Sequence, residues 1–221
     1  MKLKVIFATG NRDKLREIGE IIEDPEVTLL SMKEAGVAAD PEENGTSFEE
    51  NAVIKAEAVY DLVRKTPSLR DDPETPVIVM SDDSGLVIDA LGGAPGIYSA
   101  RYMGHETSYT LKMERIMEKM KDVPEEERTA RFTAAVAAVV PKGLIPSSDE
   151  SETLVVTASM EGRIGHSITG INGFGYDPFF YLPEYGKSSA EISREEKNAI
   201  SHRGKAVRAM MERLKEYGKQ V

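Results

Sequence analysis

The sequence contains no cysteine and no tryptophan, and it has only three histidines, His105, His166 and His202. The absence of cysteine excludes disulfide bonds, thiol catalysis and zinc sites that depend on sulfur. The three histidines are scattered along the chain, which argues against a histidine-rich metal site.

Basic residues are in the minority, and long apolar runs are missing. The 28 lysines and arginines face 38 acidic residues, for a formal net charge of −10, which argues against broad binding to nucleic acid or acidic membranes. The longest apolar run, residues 134–140, falls far short of the roughly 20 residues of a membrane span, and the N-terminal run is too short for a signal peptide. We therefore expect a soluble, cytoplasmic protein that binds neither nucleic acid nor membrane, folded as one domain over residues 1–221.

Strand-like and helical apolar patterns alternate along the chain. Helical spacing follows the first strand-like run, and two capping boxes, Ser47 to Glu50 and Ser193 to Glu196, mark later helix starts. The pattern predicts strands over residues 5–9, 27–30, 77–80, 86–91, 129–140 and 154–164. The last two runs look like a long hairpin. This alternation predicts an α/β domain with a mixed sheet flanked by helices.

An acidic run, Ser81-Asp82-Asp83-Ser84-Gly85, follows the apolar residues 77–80. Two adjacent carboxylates at the end of a buried strand are costly, because burial and like charge both raise a carboxyl pKa. A hard cation such as Mg²⁺ would offset that cost. The alternative is an ordinary acidic turn, which this composition also favours.

The segment Thr9-Gly10-Asn11-Arg12-Asp13-Lys14 lies between a strand and a helix. Gly10 permits close approach of the backbone, and the N–H groups of a helix start attract anions. Arg12 and Lys14 lie in the first turn, where the helix dipole disfavours cations unless an anion is bound. The pattern indicates a phosphate-binding loop, or else a plain turn capped by Asn11 with solvated cations.

Polar residues also mark the helix that follows Ser47. Asn51 and Lys55 lie one turn apart at the edge of its apolar face, where they form either one wall of a polar cleft or a boundary that reaches to water. Glu50 is explained by capping alone. Glu43, in the loop before the helix, is placed to reach a metal ion.

Two further clusters lie near the C-terminus. Phe174 and Tyr176 stand among glycines before Pro178, and an aromatic ring on such a loop either stacks on a nucleotide base or packs into the core. Lys197, His202 and Arg203 surround a helix start at Ser201. They would contact an anion or a base carbonyl, since arginine only donates, or belong to a solvated helix start.

Taken in order, these motifs resemble those of the inosine triphosphate pyrophosphatase family, the non-canonical purine NTP pyrophosphatases or XTP/dITP diphosphatases. The resemblance implies a two-lobed α/β fold with a long central mixed sheet, an active cleft between the lobes, and a homodimer. It also implies Mg²⁺-dependent hydrolysis of ITP, dITP and XTP to the monophosphate and pyrophosphate, which removes damaged nucleotides from the pool. The matching blocks are Ala8-Thr9-Gly10-Asn11 with Lys14, Glu50-Asn51-Ala52 with Lys55, Asp82-Asp83-Ser84-Gly85-Leu86, residues 91–102, residues 173–178 and Ser201-His202-Arg203-Gly204.

The resemblance assigns roles by motif position. Asp83 is expected to be the catalytic proton acceptor, helped by Asp82, and a metal ligand together with Glu43. Expected phosphate and sugar contacts are Thr9, Gly10, Asn11, Arg12, Asp13, Lys14, Lys55 and Ser84. Expected base contacts are Phe174, Gly175, Tyr176, Asp177, Lys197, His202 and Arg203, with Arg203 reading the 6-oxo group.

Two alternatives to this function stay open at the level of the sequence. One is a pyrophosphatase acting on other modified nucleotides, and the other is a nucleotide sensor without catalysis. The segments 70–74 and 143–152 look longer than the bacterial pattern of the family.

Overall fold

Seven strands form one mixed sheet in the order β2-β1-β3-β4-β5-β6-β7. The structure, a computed structural model, describes residues 2–70, 75–141, 144 and 151–218. Strand β1 runs parallel to β2 and β3, whereas β6 is antiparallel to β5 and β7. The predicted mixed α/β sheet is therefore confirmed. The strands are β1 (Leu3–Phe7), β2 (Val27–Ser31), β3 (Val77–Ile88), β4 (Thr129–Val140), β5 (Glu152–Ile164), β6 (Phe180–Leu182) and β7 (Lys187–Ser188).

The helices begin where the capping residues predict. Asn11, Ser47, Ser108 and Ser193 each accept backbone N–H groups at a helix start, which is the usual role of these residue types. No helix in the described ranges is long and apolar enough to cross a membrane. The helices are α1 (Arg12–Ile21), α2 (Phe48–Val63), α3 (Pro67–Arg70), α4 (Tyr109–Lys119), α5 (Arg194–Ile200) and α6 (His202–Gly218).

The chain divides into two units. Unit 1 comprises Met1–Asp83, Ala134–Ala158 and Arg203–Val221, and unit 2 comprises Ser84–Thr133 and Ser159–His202. Strands β4 and β5 are neighbours in the sheet, as the predicted hairpin requires. Of the two segments predicted to be long, residues 71–74, 143 and 145–150 lie outside the described residues.

In unit 1, both faces of the sheet are covered. Successive strand residues point to opposite faces, so Val5 and Phe7 of β1 pack with Ile18 of α1 and with α6. Ile6, between them, packs with Val59 of α2. Strands buried on both faces have continuous apolar runs, which explains the pattern of β1 and of the first residues of β3.

Unit 2 has its own core of large side chains. Leu86 and Ile88 of β3 pack there with Met113 and Ile116 of α4 and with Phe180 of β6. Fully buried leucine, isoleucine and phenylalanine side chains each contribute about 1.5–3 kcal/mol to folding. This core therefore supports the loops of unit 2 independently of the apolar clusters of unit 1.

The acidic run differs from its predicted setting. It lies inside the single strand β3, so the predicted strands over 77–80 and 86–91 are one strand, and the acidic run is neither a turn nor a strand end. Residues 89–91 form a short 3₁₀ turn instead. The strand continues through two carboxylates because each of them meets a cation, as described below.

A packing prediction follows from Gly162 of β5. A Cβ atom at this position would lie 2.6 Å from the Phe180 ring and 2.7 Å from the Tyr181 carbonyl oxygen. We expect Gly162→Ala to lower the free energy of unfolding by about 1–3 kcal/mol, because the core must shift to admit the methyl group. Urea denaturation measures the change.

The matched control is Gly19→Ala in α1, where the new Cβ would meet only Leu29 at an ordinary 3.7 Å. Alanine is favoured over glycine within a helix by roughly 0.5–1 kcal/mol, so this variant should be more stable than wild type. Equal effects of the two substitutions would contradict the packing argument.

Candidate active site

The two adjacent carboxylates of β3 point to opposite faces of the sheet. Ile78 and Met80 face the core formed with α1 and α6, and the two-residue period of a strand places Asp82 on the same face. Ser81, on the other face, donates a hydrogen bond to the Ala52 carbonyl oxygen of α2, and Asp83 shares that face. Both carboxylates are buried, at 1% and 6% exposure, yet they have different neighbours.

Asp82 is the centre of a buried ion-pair network in unit 1. The Lys14 Nζ atom lies 3.1 and 3.0 Å from its two carboxylate oxygens, and the Arg203 Nε atom donates to Oδ2 at 3.1 Å. Arg203 also pairs with Glu17 of α1. Burial alone would raise the pKa of Asp82, but Lys14 and Arg203 outweigh it and hold the pKa well below its ordinary value. These two cations favour the ionised form of Asp82, and its help in accepting a proton stays a prediction.

Asp83 has weaker compensation for its charge. Asn51 Nδ2 donates to Oδ2 at 3.1 Å, and Lys55 Nζ lies 3.8 Å from Oδ1. Burial outweighs both contacts and raises the pKa of Asp83 above its ordinary value. Two neighbouring carboxyl groups whose pKa values are driven apart indicate different roles, and Asp83 is the one suited to accept a proton.

Asn51 connects the loop before α2 with Asp83. Its Oδ1 atom accepts the Gly45 N–H at 2.9 Å while its Nδ2 atom donates to Asp83. Asn51 is fully buried, so the polar-cleft interpretation of this helix face is correct and the solvated boundary is wrong. The sequence indicated Asn51 as part of a cleft wall but assigned it no role, because its contacts with Gly45 and Asp83 depend on the tertiary fold.

The predicted capping box at Ser47 forms only in part. Ser47 Oγ accepts the Glu50 N–H at 3.1 Å. The Glu50 carboxylate, however, accepts from the backbone and hydroxyl of Thr46, at 2.6 and 2.9 Å, instead of from Ser47. The return contact of the capping box is thus shifted by one residue, from Ser47 to Thr46. Thr46 provides two donors to Glu50, whereas the Ser47 backbone would provide one.

Glu43 and Asp83 converge on one cation. Lys55 Nζ lies 3.1 Å from Glu43 Oε1 and 3.8 Å from Asp83 Oδ1, so an ammonium group already stands beside both carboxylates. Mg²⁺ in proteins commonly takes one or two carboxylates and fills its remaining positions with water and phosphate oxygens. Within the described ranges no group of three or more histidine, aspartate or glutamate side chains is arranged to hold a metal. The Mg²⁺ site predicted at Glu43 and Asp83 therefore stays a prediction, in which these two carboxylates would be the protein ligands.

The loop after β1 forms the predicted helix cap, and its binding of phosphate stays a prediction. Asn11 Oδ1 accepts the N–H groups of Asp13 and Lys14 at 2.9 and 3.2 Å, which confirms its role as helix cap. Gly10 has open space around it, and a cavity of about 560 Å³ lies beside the loop, lined in part by Thr9 and Arg12. Because the two N–H groups at the helix start are taken by Asn11, an anion here would depend on Gly10 and the cationic side chains.

Asp13 and Lys14, the last two residues of this loop, form ion pairs away from the cavity. Asp13 forms an exposed ion pair with Arg16 at 2.9 Å, and Lys14 reaches Asp82 in the strand. Burial lowers the pKa of Lys14, with Asp82 opposing the shift and Arg203 adding to it. Of the predicted phosphate contacts in this loop, residues 9–12 line the cavity, Lys14 contacts Asp82, and Asp13 contacts Arg16.

In unit 2, the glycine-aromatic loop is organised by Asp177. Its Oδ2 atom accepts the Phe174 N–H at 2.8 Å and the Lys197 ammonium at 2.6 Å, and Oδ1 accepts Ser189 Oγ at 2.9 Å. Gly173 has φ +72°, and a Cβ there would collide with this carboxylate. Lys197 is buried at 6% exposure, so it is not part of a solvated helix start.

The two aromatic residues of this loop have different environments. Tyr176 is 3% exposed and belongs to the core of unit 2, where its hydroxyl donates to the Ser99 carbonyl oxygen at 3.0 Å. Phe174 is only half-buried, and the Lys197 ammonium lies 5.3 Å from its ring centroid. Core packing therefore accounts for Tyr176, whereas Phe174 keeps a surface on which a planar base could stack.

The remaining predicted residues lie in both units. Ser84 follows Asp83 in β3 and begins unit 2. The buried ring of His202 stacks on Phe132, with centroids 5.1 Å apart. Arg203 is placed in unit 1 with Asp82 and Glu17, so its role in reading a base stays a prediction. The sequence analysis missed Glu17. The available signal was a carboxylate beside Ile18 and Ile21 on the apolar face of α1.

Comparisons with known proteins extend over nearly the whole chain. The model of the Ham1 family matches residues 5–213. A dITP/XTP pyrophosphatase of Clostridium perfringens is 43% identical over 212 residues, which cover 96% of this chain and 97% of that protein. One from Pectobacterium atrosepticum is 40% identical over 96% of this chain and 98% of its own length.

Solved structures agree with this result. A HAM1 protein from Coxiella burnetii superimposes with a TM-score of 0.79 at 34% identity, covering 97% of this chain and 99% of that one. The Staphylococcus aureus Ham1 protein gives a TM-score of 0.78 at 33% identity, covering 96% of this chain and 98% of that one.

The ion-pair network predicts unequal effects of two neighbouring substitutions. Asp82→Asn should lower the free energy of unfolding by about 3–5 kcal/mol, because it leaves Lys14 and Arg203 without the buried carboxylate that they share. Asp83→Asn makes the same change in volume at a carboxyl group whose charge burial already disfavours, so its loss should be below about 1 kcal/mol. Urea denaturation of both variants compares them, and similar losses would contradict the assigned roles.

Proposed function

The chain belongs to the Ham1 family, and we propose on that basis that it hydrolyses non-canonical purine nucleoside triphosphates to the monophosphate and pyrophosphate. ITP, dITP and XTP are the expected substrates. The full-length similarity to dITP/XTP pyrophosphatases supports this reaction and confirms the family resemblance of the motifs. The observation that carries the catalytic assignment is geometric: Asp82 is held by Lys14 and Arg203, whereas Asp83 on the opposite face lies beside Asn51 and Lys55.

Asp83 is the proposed proton acceptor. In the proposed reaction a water molecule attacks the α-phosphorus, the bond to the bridging oxygen breaks, and pyrophosphate leaves. The attacking water transfers its proton to Asp83 Oδ1, the oxygen nearer Lys55. A general base contributes through proton transfer in the transition state when its pKa is moved toward the working pH, which is the direction that burial imposes on Asp83.

Lys14 and Lys55 are proposed to stabilise the departing pyrophosphate. Fixed cations that meet developing negative charge are a major source of catalysis in phosphoryl transfer. Lys14 is held in place by Asp82, and Lys55 is held by Glu43. Because these carboxylates are themselves anchored in unit 1, the two ammonium groups need little rearrangement when phosphate is bound.

Glu43 and Asp83 are the proposed ligands of Mg²⁺. A bound Mg²⁺ supplies neutralisation of the negative charge on the triphosphate oxygens. The chain contributes two carboxylates that already lie beside the Lys55 ammonium, with Asn51 fixing the orientation of Asp83.

The purine is proposed to stack on Phe174. Base–aromatic stacking is worth roughly 1–3 kcal/mol per base, and the half-buried ring offers a face for it. Lys197, next to this ring, carries donors only, which suits the 6-oxo group of inosine and opposes the 6-amino group of adenosine. A site that hydrogen-bonds one group can reject a mismatched analogue by about 10⁴-fold or more.

The cellular setting is proposed from the family resemblance. The protein would act in the cytoplasm as a homodimer and remove damaged purine nucleotides from the pool. Analytical ultracentrifugation of the purified chain tests the dimer directly.

The first test identifies the products. With Mg²⁺ and ITP we expect equal amounts of IMP and pyrophosphate, much slower turnover of ATP, and loss of activity when EDTA removes the metal. Ion-exchange chromatography separates the products. Orthophosphate as the sole inorganic product would exclude attack at the α-phosphorus, and ITP bound without turnover would indicate a sensor. Faster turnover of dUTP or a methylated nucleotide would indicate the alternative pyrophosphatase.

The second test addresses Asp83. We expect Asp83→Asn to lower kcat by about 10²-fold to 10⁴-fold, the range for loss of a general base, while the dissociation constant for ITP measured without Mg²⁺ changes little. Steady-state kinetics and isothermal titration calorimetry measure the two quantities. Asp89→Asn is the matched control, since Asp89 is a more exposed carboxylate paired with Arg131. Wild-type turnover in Asp83→Asn would refute its role.

A further inference from the structure

Helix α4 of unit 2 contains a buried lysine that the proposed reaction does not use. Lys112 is 1% exposed, and its ammonium donates to the Ala100 carbonyl oxygen at 2.6 Å. In the part of the chain that the structure describes, no carboxylate forms an ion pair with it. Burial lowers its pKa below the ordinary value. A buried charge that lacks an opposite charge is unfavourable, so a purely space-filling role does not explain a lysine here.

Lys112 is connected to the loop that carries Phe174 through an aromatic side chain. Its ammonium lies 4.8 Å from the centroid of the Tyr109 ring. That ring meets Tyr176 edge-on, with centroids 5.1 Å apart at 89°. Tyr109 also covers Gly175, since a Cβ placed on Gly175 would meet the ring at 3.5 Å. One ring thus contacts two consecutive residues of the loop.

A second connection passes through the backbone of residues 99–100. Tyr176 donates its hydroxyl proton to the Ser99 carbonyl oxygen, and Lys112 donates to the carbonyl oxygen of the next residue, Ala100. Two adjacent peptide groups are therefore held by donors from the loop and from α4. Moving either peptide group would move Tyr176, which is two residues from Phe174.

We propose that Lys112 is a positioning residue for the purine subsite, holding the loop of residues 173–178 in place through Tyr109 and Ala100. This inference rests on the proposed stacking of the purine on Phe174. Lys112 itself touches no substrate in this account. It fixes the two contacts, one aromatic and one backbone, that determine where the loop lies.

Replacing Lys112 with methionine tests whether this side chain does more than fill space in the core. Methionine is apolar, flexible and adaptable in cores, so it can fill the space of the lysine side chain without its charge. It removes the donor to Ala100 and the cation beneath Tyr109. Because Lys112→Met leaves the Ala100 carbonyl oxygen without this donor, we expect a lower melting temperature in a protein that still folds, together with a looser loop.

The test compares base-dependent and base-independent binding. For Lys112→Met we expect KM for ITP and the dissociation constant for IMP to rise about tenfold, because a displaced contact group weakens a preorganised site, with kcat within about twofold of wild type. The inhibition constant of inorganic tripolyphosphate, which has no base, should not change. IMP binding is measured by calorimetry and requires no catalysis.

The matched control lies on the same helix. Lys119 donates to the Tyr102 hydroxyl at 2.8 Å and lies 5.4 Å from that ring centroid, so it makes similar contacts away from the loop. Lys119→Met should leave KM for ITP, kcat, the dissociation constant for IMP and the inhibition constant of tripolyphosphate unchanged. Tyr109→Leu, at a partly exposed position, removes the ring between Lys112 and the loop. It should reproduce the loss of base binding even if Lys112→Met does not fold.

Phe174→Ala distinguishes an error in the positioning role of Lys112 from an error in the purine subsite itself. If Phe174→Ala weakens IMP binding but Lys112→Met and Tyr109→Leu do not, the positioning role is wrong and the proposed function stands. If none of the three variants affects IMP binding, the purine subsite is wrong, and the inference fails with it. Equal weakening of IMP and tripolyphosphate binding by Lys112→Met would also overturn the proposal, since it indicates general disruption.

Discussion

The catalytic assignment depends on one constraint, the two-residue period of β3. Because neighbouring side chains of a strand leave on opposite faces, Asp82 and Asp83 share a peptide bond but make their hydrogen bonds to different residues. One face places Asp82 between Lys14 and Arg203, and the other places Asp83 beside Asn51 and Lys55. The same backbone segment therefore holds a permanently charged anchor next to a carboxyl group that is inclined to accept a proton.

In unit 2, as in unit 1, a buried carboxylate holds several side chains and backbone groups in place. Asp177 gathers a backbone N–H, a hydroxyl and an ammonium group on one buried carboxylate. These contacts hold the glycine-rich residues 170–175, which lie just before the short 3₁₀ helix Asp177–Phe179. In each unit, a buried carboxylate fixes the side chains that are proposed to meet the substrate, and the apolar cores hold the elements that deliver its partners.

Much of the architecture could be predicted from local patterns. Apolar runs and capping residues located most strands and helices, because these depend on nearby residues. The acidic run was misplaced at a strand end, since its cations come from distant parts of the chain; Arg203, for example, is 121 residues from Asp82. Local pattern likewise gave no means of choosing between Phe174 and Tyr176, because only tertiary packing decides which ring is covered. The cap and the open glycine at Asn11 and Gly10 were treated as alternatives although they are compatible.

The amide of Asn51 has a consequence for how this chain can vary. Its oxygen accepts from Gly45 and its nitrogen donates to Asp83, so the group works only in one orientation and with both polarities present. Aspartate at this position would repel Asp83, and leucine would remove both hydrogen bonds. Glutamine, which is one methylene longer, would move the amide away from Gly45 and Asp83. This position therefore requires an amide of this length, and hydrolysis of the amide to an acid would bring a second buried carboxylate against Asp83.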